Sequence, residues 1–205
     1  QRTQHQQCMK LLTRRSKLNL DKSKRYLLAC SGGPDSMALF GMLLKEKYDF
    51  EVAFVNYKTR ENSNYEQKLV EEYANEHGIK CYVLEKKCSF AGNFENNARK
   101  IRYKFFFDIV KKQKNIDGIL VVHNADDSIE TYIIQNRRKV LTDKYGLTFS
   151  TKMREINIYR PLLRYEKNFL ELYCVKNSIP YSIDATNFDE KYLRNSIRSR
   201  IVSKL

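Results

Sequence analysis

Apolar residues in this chain gather into short runs that alternate with stretches of helical period. The run at 25–30 (RYLLAC) ends at Ser31-Gly32-Gly33-Pro34, and an apolar, helix-favouring stretch over 36–47 follows directly. That order predicts a strand, a glycine turn and a helix. Residues 50–56 (FEVAFVN) repeat the strand signature, and 66–76 place Leu69, Val70, Tyr73, Ala74 and His77 at helical spacing, with Gly78 as the stop. A third strand is expected at 81–84. Residues 93–114 carry Ala98, Ile101, Phe105 and Ile109 along one helical face, and the run 118–122 (GILVV) precedes a helix-like stretch over 126–135. The later chain is looser: 140–155 is polar without a clear period, 157–159 predicts a fifth strand and 165–177 a helix. The chain closes in a basic amphipathic stretch with Ile197, Ile201 and Leu205 four apart.

Strand and helix therefore alternate four times with short connections. This predicts an α/β fold: a parallel five-stranded, Rossmann-like sheet with helices on both faces, followed by a small helical C-terminal element. A basic lead-in occupies 1–24, the sheet domain 25–160, and 161–205 completes that domain and begins a connecting helix. Ligands of such sheets bind at the carboxyl ends of the strands, and the two sharpest motifs lie there. A nucleotide across the first two strand ends would have its base flanked by 29–31 and 54–56, which includes Asn56.

Composition narrows the class. The chain has 205 residues, 42% hydrophobic and 30% charged, with 7 Gly and 3 Pro, which suits one good-sized domain and excludes collagen-like, Pro-rich and disordered chains. No apolar stretch approaches the roughly 18 to 20 residues of a membrane helix, so a cytoplasmic address and no membrane partner are expected. Five cysteines at 8, 30, 81, 88 and 174 form no Cys-x-x-Cys pair and read as reduced thiols. Against 24 acidic residues stand 38 Lys and Arg, a net charge of +14 that proposes a polyanionic partner, nucleic acid first, with a general Lys bias as the alternative.

The string Ser31-Gly32-Gly33-Pro34-Asp35-Ser36 stands where free backbone N–H groups and the positive end of a helix dipole converge. An anion belongs there. The glycines let backbone approach phosphate oxygens, and the Ser31 and Ser36 hydroxyls add donors. Asp35 would repel phosphate unless Mg²⁺ bridges the two. The fourth strand ends in His123-Asn124-Ala125-Asp126-Asp127-Ser128-Ile129-Glu130-Thr131. With Asp126 as helix cap, Asp127 and Glu130 share one face and suit either Mg²⁺ or the ammonium of an amine substrate; an acidic first helical turn is the plainer reading. Arg99, Arg102 and Phe106 recur opposite the apolar stripe of their helix. Such a face suits leaving pyrophosphate, RNA phosphates or simple salt bridges.

The loop SGGPDS after an apolar strand resembles that of the N-type ATP pyrophosphatases, which split ATP between the α and β phosphates. Six strings in order narrow the resemblance to the tRNA(Ile)-lysidine synthetase family over about 25–205: SGGPDS, VNYKTR, ENNARKIRYKFF, HNADDSIET, RPLLRYEK and DATNFDEKYLRNSIR. The resemblance implies an enzyme with ATP and Mg²⁺ that joins L-lysine to C2 of the anticodon cytidine of tRNA(Ile) with a CAU anticodon, through an adenylated cytidine. It implies that Ser31, Gly32, Gly33, Pro34, Asp35, Ser36 and Asn56 bind ATP and that Asp35 holds the metal. Asp127 and Glu130 would orient the lysine, Arg99 or Arg102 would offset charge on the α-phosphate, and Arg160, Arg194, Asn195 and Arg198 would contact the tRNA.

Two departures stand out. Tyr57 replaces the family's His, and Gln135-Asn136-Arg137-Arg138-Lys139 replaces a glycine-containing turn. Most bacterial members also continue into small C-terminal tRNA-binding domains. The rivals are an adenylating tRNA thiolase, disfavoured by the scattered cysteines; an amidating ligase of the NAD or GMP synthetase type, disfavoured by the charge; and an inactive RNA-binding module, which would have no use for Asp35, Asp127 and Glu130 facing a polyanion.

Overall fold

In the computed structural model the described residues are 17–58, 62–87, 94–137 and 146–183. Six strands, β1 (Arg25–Ala29), β2 (Asp49–Asn56), β3 (Cys81–Glu85), β4 (Gly118–Leu120), β5 (Ser150–Met153) and β6 (Ile156–Tyr159), form one sheet in the order β3-β2-β1-β4-β6-β5. Five are parallel, as expected; β5 pairs antiparallel with β6 at the edge. The helices are α1 (Pro34–Lys45), α2 (Ser63–Glu76), α3 (Phe94–Gln113), α4 (Ala125–Arg137) and α5 (Lys167–Lys176). Strand order reverses direction at β1, with β2 on one side and β4 on the other, so a crevice opens at their carboxyl ends.

Alternation along β1 explains the two layers. Tyr26 and Leu28 face a core shared with α1, α2 and α5, including Met37, Phe40, Val70, Leu170 and Tyr173, while Leu27 faces a second core built on α3 from Tyr103, Phe106, Phe107 and Val110. Helices thus cover both faces. The β4–β6 pairing is close enough that a Cβ on Gly118 would stand 2.6 Å from the Tyr159 ring.

Three expectations need correction. The sixth strand falls in the stretch that has no clear period: all four β5 residues are exposed, so no apolar alternation marks it. Its hairpin turns on Arg154 and Glu155, both with positive φ (48° and 64°), where a two-residue turn normally carries Asn-Gly. The buried face of α3 comprises Ala98, Tyr103, Phe106, Phe107, Ile109 and Val110; Ile101 and Phe105 are half-buried, and Phe106 belongs to the core rather than to the basic face. The described end of the lead-in is also core, since Leu18 is fully buried and the Tyr48 hydroxyl donates to the Leu20 carbonyl. Among the described residues no helix is long and apolar enough to cross a membrane. The closing amphipathic stretch lies outside them.

Candidate active site

The chain leaves β1 at Ala29 and turns through Ser31, Gly32 and Gly33 into α1. Gly32 sits at φ +80°, where a Cβ would meet only ordinary 3.5 Å contacts with Glu66 and Val70, so conformation rather than space demands glycine. Gly33 is the N-cap and offers no side chain to the first turn, and Pro34 fills the first helical position. The uncapped turn faces the crevice. Ser36 does not face it: its buried hydroxyl donates to the Gly33 carbonyl (2.9 Å) and accepts from the Ser31 amide (3.2 Å), bracing the loop from within. A segment far along the chain clamps the same loop, because the Ser182 amide donates to the Gly32 carbonyl at 2.9 Å.

Asp35 stands in the first turn of α1. Burial pushes its carboxyl up to about 6, against a hydrogen bond from Asn124 that favours the ionised form, and the Asp127 charge adds to the rise. Asn124 Nδ2 donates to Asp35 Oδ2 at 2.8 Å, while Asp35 Oδ1 is buried with no hydrogen-bond partner among the described residues.

Asn124 is also the cap of α4. Its Oδ1 accepts from the Asp127 amide (3.0 Å) and its own amide donates to Asp127 Oδ2 (2.9 Å), a reciprocal capping box. Asp126, the expected cap, instead accepts from the Lys167 amide at the start of α5. One asparagine therefore binds the loop carboxylate with its side-chain amide and orients the second carboxylate with its backbone. Glu130 lies one turn on from Asp127 and is 4% exposed, inside the fold rather than projecting into the cleft.

A cleft of about 390 Å³ opens at the carboxyl ends of β1, β2 and β4, lined by Ala29, Ser31, Gly33, Phe54, Arg102, Tyr103 and His123 among others. Arg102 thus reaches the cleft, and Arg99 lies over the Tyr103 ring at 4.8 Å. His123 is held neutral: burial lowers it to about 4, opposed by Asp127 and assisted by Arg160, Arg99 and Arg102. Its Nδ1 is buried without a hydrogen-bond partner among the described residues, so it is not the plainly satisfied strand-end histidine its position suggests. Tyr57, the departure from the family's His, lines the cleft and donates to the Ala98 carbonyl at 2.9 Å, tying β2 to α3.

Two further expected site residues, besides Ser36 and Glu130, are turned elsewhere. Asn56 is 1% exposed; its amide donates to the Ser63 carbonyl, Asn64 and Gln67, and its oxygen accepts from the Lys58 amide, so it organises the start of α2 and does not line the cleft. Arg160 is 7% exposed and spends its guanidinium on the Thr148 carbonyl (3.1 Å) and Thr151 (3.2 Å), holding the approach to β5. Arg194, Asn195 and Arg198 lie outside the described residues. So does part of the altered 135–139 stretch, whose first three residues continue α4 as helix. Sequence reasoning missed Asn124 and also Glu66 and Ser182, both of which line the cleft. The Asn-x-x-Asp spacing announces the first; nothing local announces the others.

Burial pushes the Cys81 and Cys174 thiols up to about 12 and raises Cys30 as well. Thiols so raised stay protonated at neutral pH.

A family model described as a PP-loop domain matches residues 2–205. The tRNA(Ile)-lysidine synthase of Mycoplasma mycoides subsp. mycoides SC is 40% identical over 191 residues, covering 91% of this chain and 47% of that protein. That of Mesoplasma florum is likewise 40% identical over 191 residues, with the same shares. The chain spans about half the length of these curated relatives. Among solved structures, the U34-tRNA thiolase NcsA from Methanococcus maripaludis with its 4Fe-4S cluster matches with a TM-score of 0.76 at 17% identity, over 97% of this chain and 72% of that one, a likeness of fold.

Proposed function

The chain belongs to the PP-loop domain family, and from that premise we propose that it is an ATP-dependent RNA ligase that joins L-lysine to C2 of the wobble cytidine of tRNA(Ile) with a CAU anticodon. The observation that carries the reading is Asn124, which couples Asp35 of the phosphate loop to Asp127 of α4. A nucleotide-handling loop and an amine-handling carboxylate are thereby one unit. The names of the relatives support the substrates.

The chemistry needs both halves. The C2 oxygen of cytosine is a poor leaving group, so it first attacks the α-phosphate of ATP, giving an adenylated cytidine and pyrophosphate. The ε-amine of lysine then attacks C2, the C2–O bond breaks with the oxygen leaving on AMP, and the nitrogen sheds protons. The loop amides and Ser31 would cradle phosphate, and Arg102, with Arg99 behind it, would offset charge at the α-phosphate. Asp127, with Glu130 beneath it, would orient the lysine ammonium and receive a proton. Holding these groups together is the larger part of the catalysis. Arg194, Asn195 and Arg198 are assigned to the tRNA; Arg160 acts through the hairpin it supports.

Asp35 fits Mg²⁺. A buried carboxylate oxygen without a hydrogen-bond partner among the described residues, beside a second carboxylate, is an incomplete oxygen donor set of the kind that Mg²⁺ shares with phosphates. Asp35 would hold the ion, which when bound would neutralise phosphate charge. The thiolase alternative would use a thiolate, which burial disfavours at Cys30, Cys81 and Cys174, the three cysteines among the described residues.

The test is AMP release from Mg-ATP and an unmodified tRNA(Ile) transcript with a CAU anticodon, with and without L-lysine. Lysine-dependent AMP is expected. AMP released equally without lysine moves the assignment to another nucleophile, and no AMP under either condition refutes it.

A further inference from the structure

Exposed charge differs between two helices on opposite faces of the sheet, α2 and α3, although α1 and α5 on the α2 side also expose Lys45 and Lys176. On one face α2 exposes Glu71, Glu72 and Glu76, and its Lys68 is ion-paired to Glu72 at 3.6 Å. On the other, α3 exposes Arg99, Lys100, Arg102, Lys104, Lys111 and Lys112, with the exposed Asp108 among them. Among the described residues none of those four lysines has a salt bridge. Helical geometry sharpens the contrast, because Lys100, Lys104 and Lys111 fall within about 40° of one another around the axis and are separated along it by about 6 and 10 Å. The first turns of α3 line the cleft through Arg102 and Tyr103; Arg102 lies on the opposite side of the helix from the lysines, whereas Tyr103 is only about 60° around the axis from Lys100. Arg154 of the β5–β6 turn joins the lysine side by stacking on Phe107 at 5.6 Å.

We propose that this outward face of α3, with Arg154, is the track on which phosphates of the RNA substrate lie as its reactive nucleotide enters the cleft. The inference rests on the RNA-substrate reading above and adds the surface that delivers it. Lysines at such a surface act as point charges that position the backbone and read no sequence. The pocket face, with Arg102 and Tyr103, then receives the base.

The test compares K100Q/K104Q/K111Q with a control of equal charge loss, K24Q/K47Q/K68Q. Binding of tRNA(Ile) is measured across a KCl series, alongside ATP affinity and urea unfolding. The track triple is expected to weaken RNA binding about tenfold or more near 0.1 M salt and to reduce the slope of log K against log salt by about 2 to 3, from about 0.7 to 0.9 per phosphate contact. ATP affinity and the unfolding midpoint stay those of the parent, and the control triple keeps the parent slope. Equal losses in both triples, an unchanged slope in the track triple, or a parent that binds no RNA would each overturn the proposal. A track-dependent affinity without lysine transfer would keep this surface and refute the ligase assignment instead; lysine transfer with an unchanged slope would do the reverse.

Discussion

Replacing Asp35 by asparagine should stabilise the free protein while abolishing its chemistry. The carboxyl of Asp35 titrates at about 6 in the fold against 3.8 in an unconstrained chain, so between those values the folded state holds a proton that the unfolded state has released. Stability from this group is present below about pH 4 and is lost as pH rises through about 6. A difference of roughly two pH units corresponds to about 3 kcal/mol, and partial hydration of the side chain brings this to about 1–3 kcal/mol at pH 7.5. An asparagine at this position would carry no charge and still accept from Asn124 Nδ2, so the variant escapes that cost. Urea unfolding of both proteins at pH 4, 5, 6 and 7.5, without nucleotide or divalent metal, reads the difference directly, since other titrating groups cancel. The two curves should coincide near pH 4 and separate by about 1–3 kcal/mol at pH 7.5, or about 2–4 °C in Tm per kcal/mol for a chain of this size. Mg²⁺ should narrow the gap by stabilising the parent alone. Equal stability at every pH, or a variant less stable than the parent at pH 7.5, would refute the reasoning.

Asn124→Ala removes the α4 cap and the link to Asp35 together: unfolding should register about 1 kcal/mol, while lysine-dependent AMP formation falls by far more than that loss explains. Gly32→Ala meets no steric obstacle, so its cost is conformational, about 1–2 kcal/mol by urea unfolding, with a weakened ATP affinity by calorimetry. Arg160→Gln should lose about 1–3 kcal/mol from a broken buried hydrogen-bond set yet keep the parent's RNA affinity in filter binding; a pure RNA-contact role predicts the opposite pattern.

The parallel sheet was legible because its central strands β1, β2 and β4 are buried on both faces and read as apolar runs, with β1 leading into an unmistakable glycine turn. What escaped was set by contacts distant in sequence or by unusual turn chemistry. β5 is a polar edge strand folded back on an Arg-Glu turn, and neither its residues nor its turn carries the usual signature. Asn56 and Arg160 are polar residues near strand ends, which suggests a site, but each is consumed by a local backbone network. The His-Asn-Ala-Asp-Asp string pointed to paired carboxylates; that Asn124 rather than Asp126 caps the helix follows from the box geometry and moves Asp127 into register with Asp35. Ser182 reaches the phosphate loop from a segment 150 residues on from Gly32, and only the folded chain brings them together.

The central claim is that one cleft activates a cytidine and delivers lysine to it. The most direct measurement is incubation with isotope-labelled L-lysine, ATP and Mg²⁺ on a tRNA(Ile) transcript with a CAU anticodon, beside transcripts with other anticodons, followed by nuclease digestion and mass spectrometry of the nucleosides. Label on the wobble cytidine of that transcript alone, absent with Asp35→Asn and with Asp127→Asn, is the predicted result. Label elsewhere in the RNA, or full incorporation by either variant, would contradict the account.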